Sequence, residues 1–169
     1  AGDEIDEDPV VTTLAGSTSF GSTNGTGTAA TFKYPTAIVS DGTNLYVADQ
    51  NNHTIRKIVI STGVVSTFAG YPGSQGSTNG TGTAARFKYP QGVTTDGTNL
   101  YVADSNNHLI RKIVISTGVV TTIAGTGSAC TSNCDHATGT SAGFNGPYGI
   151  TTDGTNLYVA DLNGHKVRK

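Results

Sequence analysis

The chain has 169 residues, of which 35% are hydrophobic, with no Met, no Trp and a formal net charge of −2; this suffices for one domain core and lacks the clustered basic charge that tracking a nucleic-acid backbone requires. Gly, at 23 residues, and abundant Thr, Asn and Ser disfavour helices and suit a turn-rich β protein, so almost no helix is expected. No apolar run approaches the roughly 20 residues of a membrane-spanning helix.

Residues 1–9, AGDEIDEDP, hold five of the twelve acids (Asp3, Glu4, Asp6, Glu7, Asp8) and leave the rest of the chain at +3. Such a stretch buries no apolar area and is read as an acidic disordered leader. VVTTLAG follows at Val10–Gly16 and returns as VVSTFAG at Val64–Gly70 and VVTTIAG at Val119–Gly125. It is expected to be an outer strand at 10–16 and the last strand of a unit in the other two places. Gly- and Thr-rich connectors come next, with GSTNGTGTAA at Gly21–Ala30 recurring at Gly76–Ala85.

The units are headed by Phe32, Phe87 and Phe144, each followed by Pro35, Pro90 or Pro147, at spacings of 55 and 57 residues. The first two, 32–70 and 87–125, agree at 30 of 39 positions and therefore share one structure. The third runs from 144 to 169 as an incomplete copy. Within the second unit, alternation and punctuation predict four strands. PQGVTTD comes first, with Val93 directed into the core. The DGTN turn, Asp96–Asn99, leads into LYVAD, where Leu100 and Val102 face one side and Tyr101 and Ala103 the other. HLIRKIVI is the third strand, entered through Asn106 and Asn107, and VVTTIAG is the fourth. Four short antiparallel strands per unit, laid side by side, describe the blades of an all-β propeller. In each Arg–Lys pair, such as Arg111 and Lys112, alternate strand faces imply that one member buries its stem or hydrogen-bonds between blades.

Cys130 and Cys134 stand in the polar loop TGSACTSNCDHATG and are read as a small disulfide, which implies an oxidising, extracytoplasmic or secreted setting. A metal site with Asp135 and His136 is the alternative, although zinc prefers two paired knuckles and one is present. Covalent haem usually requires C-x-x-C-H, from which CTSNCDH departs. Sequons at Asn24, Asn52 and Asn79 permit glycans in a eukaryotic secreted protein.

The pattern F-x-x-P-x-G-[IV]-x-x-D-x-x-x-x-L-Y-V-A-D-x-x-N-H-x-[IV]-R-K resembles the NHL repeat, a family of propeller blades, and covers nearly all of Val10–Lys169. The resemblance implies a propeller. It does not specify a function, because relatives include RNA-binding modules, amidating lyases, sensor domains and secreted proteins. It also implies ring closure by an N-terminal outer strand. Val10–Gly16 supplies such a strand and the third unit lacks one, so the chain reads as half of a six-bladed ring, closed by strand exchange in a homodimer or by the rest of a longer propeller chain.

Strand alternation places the long connectors and the turns between second and third strands on one face. That face carries Asp49, Asn51, Asn52 and His53; Asp104, Asn106, Asn107 and His108; Asp161, Asn163 and His165. Lys33, Tyr34, Lys88, Tyr89 and Tyr148 join them. The repeated D-x-x-N-H suggests a ring of ligands for a divalent metal ion at His53, His108 and His165, or equally a set of structural turn residues. Lyase relatives hold a channel metal through histidines, but no separate channel His or general base is identifiable here. No catalytic triad order, phosphate loop or dinucleotide fingerprint is present. The expected function is a non-catalytic extracytoplasmic binding or scaffold module for a protein or carbohydrate, using Lys33, Tyr34, Lys88, Tyr89, Tyr148, Asn52, Asn107 and Asn163, without a cofactor. A metal-dependent lyase or hydrolase at the channel mouth, and a purely structural assembly component, are the other readings.

Overall fold

A computed structural model of the chain describes residues 10–132, 134, 135 and 137–169; the leader expected at 1–9 lies outside them, as does His136. The first sheet contains β1 (Gly25–Thr26), β2 (Pro35–Ser40), β3 (Asn44–Asp49), β4 (Thr54–Val59) and β5 (Val64–Ala69) in the order β1-β5-β4-β3-β2. The second repeats it with β6 (Gly80–Thr81), β7 (Pro90–Thr95), β8 (Asn99–Asp104), β9 (Leu109–Val114) and β10 (Val119–Ala124) in the order β6-β10-β9-β8-β7. The third holds β11 (Pro147–Thr152), β12 (Leu157–Asp161) and β13 (Lys166–Arg168). All strand pairs within these sheets are antiparallel. Helical structure among the described residues amounts to five three-residue 3₁₀ turns. None is long and apolar enough to cross a membrane.

This is a partial β-propeller of three blades. Two details differ from the four-stranded expectation. Each complete blade gains a fifth, two-residue strand from the connector that precedes it, with Gly25 and Thr26 opposite Val65 and Val64, and Gly80 and Thr81 opposite Val120 and Val119. The Gly/Thr connectors thus cover the outer edges of β5 and β10, which would otherwise present unpaired backbone groups. The other detail is Val10–Gly16, expected as an outer strand, which is in no strand here.

The blades pack through their flanks, with β7 lying between β2 and β11. Tyr46, Ala48, Ile55 and Ala69 of the first blade meet Phe87, Val93, Leu100, Val102, Ile113 and Val120 of the second. Ala103 and Ile110 then meet Ala142, Phe144 and Val159 of the third. The middle blade is therefore packed on both flanks. At one point the backbones touch: a Cβ on Gly92 would lie 2.2 Å from the Tyr148 carbonyl oxygen, so only glycine allows β7 and β11 this approach. On the opposite end of each blade, Asp41, Asp96 and Asp153 accept the backbone N–H groups two and three residues on and so close the DGTN turns.

Candidate functional site: the loop face and its repeated turn

Three copies of one turn, between the second and third strands of each blade, build the loop face. In the first, Asp49 Oδ1 accepts the Lys33 N–H at 2.7 Å. Its Oδ2 accepts the Asn52 amide at 2.6 Å and Arg56 Nη1 at 3.0 Å. Arg56 is fully buried. Its two Nη atoms also donate to the carbonyls of Thr31 and Thr23 and to Asn24 Oδ1, at 2.9–3.0 Å, while the guanidinium lies 5.0 Å from the Phe32 ring centroid. Four of its five N–H donors are used, and Nε has no partner. The second blade repeats the set with Asp104, Asn107 and Arg111, which reaches the carbonyls of Arg86 and Thr78 and Asn79 Oδ1 above Phe87.

The arginine thus ties the turn, the connector and the heading phenylalanine of its own blade together. Burial drives the Asp104 carboxyl up to about 6 despite Arg111, Asn107 and the Lys88 N–H, and it pushes Asp49 the same way. Desolvation outweighs attraction, as is common for buried ion pairs, so the pair organises the turn more than it adds net stability.

The histidines do a different job. His53 and His108, like His165, adopt the left-handed conformation, with φ of 59°, 56° and 55°. His53 Nδ1 accepts the N–H of Tyr89 at 3.1 Å, and His108 Nδ1 accepts the N–H of Gly146 at 3.0 Å. Each is an inter-blade clasp. Tyr89 adds an edge-on ring contact to His53 with centroids 4.5 Å apart. Burial lowers both histidine pKa values, assisted by Lys33 and Lys88 at His53 and, at His108, opposed by the negative charge of Asp161 and assisted by Lys88, which keeps Nδ1 free to accept. Among the described residues no group of three or more His, Cys, Asp or Glu is placed to hold a metal, and His53, His108 and His165 sit in separate blades.

Several expected site residues are placed differently from one another. The Asn52 and Asn107 side chains turn inward, each bridging its Asp to a connector carbonyl, Gly21 or Gly76, at 2.6 Å. Asn163 is not their counterpart: its N–H reaches the Asn145 carbonyl as Asn51 and Asn106 reach those of Lys33 and Lys88, and Gly164 takes the bridging position. Likewise, Gly146 (φ 70°) is the counterpart of Tyr34 (56°) and Tyr89 (52°), whereas Tyr148 lies on β11 in the register of Thr36 and Gln91. Tyr34, Tyr148 and the partly exposed Lys33, Lys88 and Tyr89 remain at the surface. The sequon residues Asn24 and Asn79 have Oδ1 engaged by arginine, as described above.

Cys130 and Cys134 form a disulfide. Their loop occupies the connector position of the third blade, where the Cys134 carbonyl accepts Arg168 Nη2 at 2.7 Å. Asp135 replaces the asparagine of the other blades and pairs with Lys166 and Arg168. The buried member expected in each Arg–Lys pair is the arginine, and its partner, which the pattern alone left unnamed, is the turn Asp seven residues earlier in every blade; that constant spacing is the signal in the sequence.

Comparison with known proteins agrees with this geometry. The NHL repeat family model matches residues 87–113. NHL repeat-containing protein 2 of Bos taurus is 39% identical over 134 residues, and that of Homo sapiens 37%. Each alignment covers 73% of this chain and 18% of the relative, so the chain spans about a fifth of the length of these proteins. Among solved structures, an auxiliary nutrient binding protein from Bacteroides thetaiotaomicron superposes with a TM-score of 0.65 at 25% identity, over 79% of this chain and 35% of that one. A virginiamycin B lyase from Staphylococcus aureus, at 0.51 and 21%, shares the fold. The chain belongs to the NHL-repeat β-propellers.

Proposed function

We propose that this propeller is a non-catalytic, extracytoplasmic binding or scaffold module that takes a protein or carbohydrate on its loop face, within a ring closed by a second copy of the chain or by the rest of a longer propeller chain. The observation that carries the binding reading is the division of labour on that face. The polar groups that a catalyst would need, Asp49, Asp104, His53 and His108, are occupied by backbone and arginine partners. Tyr34 remains accessible, and Lys33 beside it in sequence and Lys88 both act on His53. Tyrosine and lysine beside backbone carbonyls suit stacking and hydrogen bonding to a sugar or a peptide. The description of the Bacteroides neighbour as nutrient binding and the disulfide support the same reading.

Screening the purified chain against glycan and peptide arrays, followed by calorimetry with Tyr34→Ala and Lys88→Ala, tests it. Specific binding weakened about tenfold or more by either substitution is expected. A tightly held divalent ion lost on substituting His53, His108 or His165, together with hydrolytic or lyase turnover, would replace this reading with the enzymatic one.

A further inference from the structure

We infer that the loop face at the joint of the first and second blades is a subsite for a carboxylate carried by an acidic sugar, a uronate, and that His53, Lys33 and Lys88 receive it. This deepens the binding reading above and rests on it. The charge on this face is uneven. Asp49 and Asp104 are engaged by Arg56 and Arg111 inside the blades, and Asp41, Asp96 and Asp153 close the turns at the opposite end. Lys33 and Lys88 are partly exposed and form no ion pair among the described residues. Two ammonium groups therefore stand on the face without a carboxylate partner there.

Both lysines are anchored beside the histidine of the joint. The Lys33 carbonyl accepts the N–H of Asn51, two residues before His53. Lys88 directly precedes Tyr89, whose N–H His53 Nδ1 accepts and whose ring meets the imidazole edge-on. The charges of both act on His53. Because Nδ1 accepts, the proton of the neutral imidazole is on Nε2, which has no partner among the described residues and is not sealed from solvent. A carboxylate offers two oxygens to that N–H and to the ammonium groups. A phosphate is gripped best by guanidinium groups, and those of Arg56 and Arg111 are engaged within the blades.

The joint of the second and third blades lacks this arrangement. There Asn145 takes the lysine position, donating its N–H to Asp161 as Lys33 and Lys88 donate theirs to Asp49 and Asp104, and the negative charge of Asp161 acts on His108 against that of Lys88. The subsite thus belongs to the first joint alone. A sugar as the carrier follows from Phe20, which is 76% exposed and has Lys33 Nζ 5.6 Å from its ring centroid. Gln75 and Ala129, at the same position of the connectors that run between packed blades, are exposed too. An aromatic face beside a cation gives the C–H face of a sugar ring a flat surface while its carboxylate reaches the lysines.

Calorimetry of the purified chain with oligogalacturonate, with its methyl ester and with a glutamate-rich peptide tests this. Oligogalacturonate should bind. Esterification, which removes the charge and keeps the sugar, should weaken binding about tenfold or more, as should Lys33→Gln, Lys88→Gln or Phe20→Ala. Lys112→Gln, on the other strand face, should leave it unchanged, and all four variants should keep the wild-type far-ultraviolet spectrum. Equal affinity for the ester would overturn the carboxylate assignment. Equal affinity for the peptide, with Phe20→Ala without effect, would overturn the sugar. No binding of oligogalacturonate or of an oligoglucuronate would overturn the inference as a whole, and a neutral array hit still weakened by Tyr34→Ala would then leave the binding reading standing.

Discussion

At the scale of single residues, the buried arginine explains most of what the repeat signature encodes. A guanidinium delivers four hydrogen bonds in one plane to a carboxylate, two carbonyls and an amide, which lysine has neither the donors nor the shape to do. Arg111→Ala leaves Asp104 buried without its cation and is expected to cost about 3–5 kcal/mol in urea unfolding; Lys112→Ala, on the other strand face, is expected to cost well under half of that. The histidine clasp makes a pH prediction of known sign. His53 and His108 have folded-state pKa values below the usual 6.5, so the unfolded chain binds protons more readily. Their contribution is complete above pH 6.5 and is lost as pH falls through the lowered values, because a protonated Nδ1 donates instead of accepting. Asp104 and Asp49, raised by burial, act with the opposite sign in the same range, so the histidine part is read as the difference in the pH slope of unfolding midpoints between the wild type and a variant without the two histidines. In a His53→Gln/His108→Gln variant this part of the slope should vanish.

At the scale of elements, the strands were legible and the connectors were not. PQGVTT, NLYVAD, LIRKIV and VVTTIA announce themselves by alternation between turn signals, and β7 to β10 fall on them. A two-residue Gly-Thr strand offers no period to detect, so the edge cover of β5 and β10 is not legible in the sequence. Strand alternation shows that one member of each RK pair is buried, but only the fixed spacing from Asp tells that it is the arginine and what it pairs with. The third copy misled by small changes, since FNGPYG moves Tyr148 two positions, and DLNGH moves Asn163 one position, away from the residues they resemble.

The turns at the other end of the blades carry their own prediction. Burial raises the Asp41 pKa, but the Asn44 and Thr43 N–H groups, the Asn44 amide and the Tyr46 hydroxyl outweigh it and hold it at about 2, below the ordinary 3.8; Asp96 and Asp153 are lowered by the same kind of donors. This support is present above pH 3.8 and lost as pH falls toward 2. Asp96→Asn should flatten that part of the acid-unfolding curve. The disulfide closes a very short loop, so reducing it should cost no more than the low end of the roughly 2–4 kcal/mol range, felt mainly in β13 through the Arg168 contact to Cys134. Hydrogen exchange of the β13 amides before and after reduction measures this.

At the scale of the whole molecule, repetition made the fold readable: two nearly identical 39-residue words must fold alike, and blades that pack only on neighbours must either close or leave raw flanks. The ligand is less readable, because the residues repeated most faithfully are those that hold the blades together, and a binding surface is defined by the residues that vary between them, such as Lys33, Lys88 and Asn145. The central proposal is that the repeated turns hold the blades together while the loop face between them binds. Calorimetry of the purified chain with a glycan or peptide taken from the arrays tests it most directly. The account predicts specific binding that Tyr34→Ala weakens without changing the far-ultraviolet spectrum; binding untouched by both Tyr34→Ala and Lys88→Ala would contradict it.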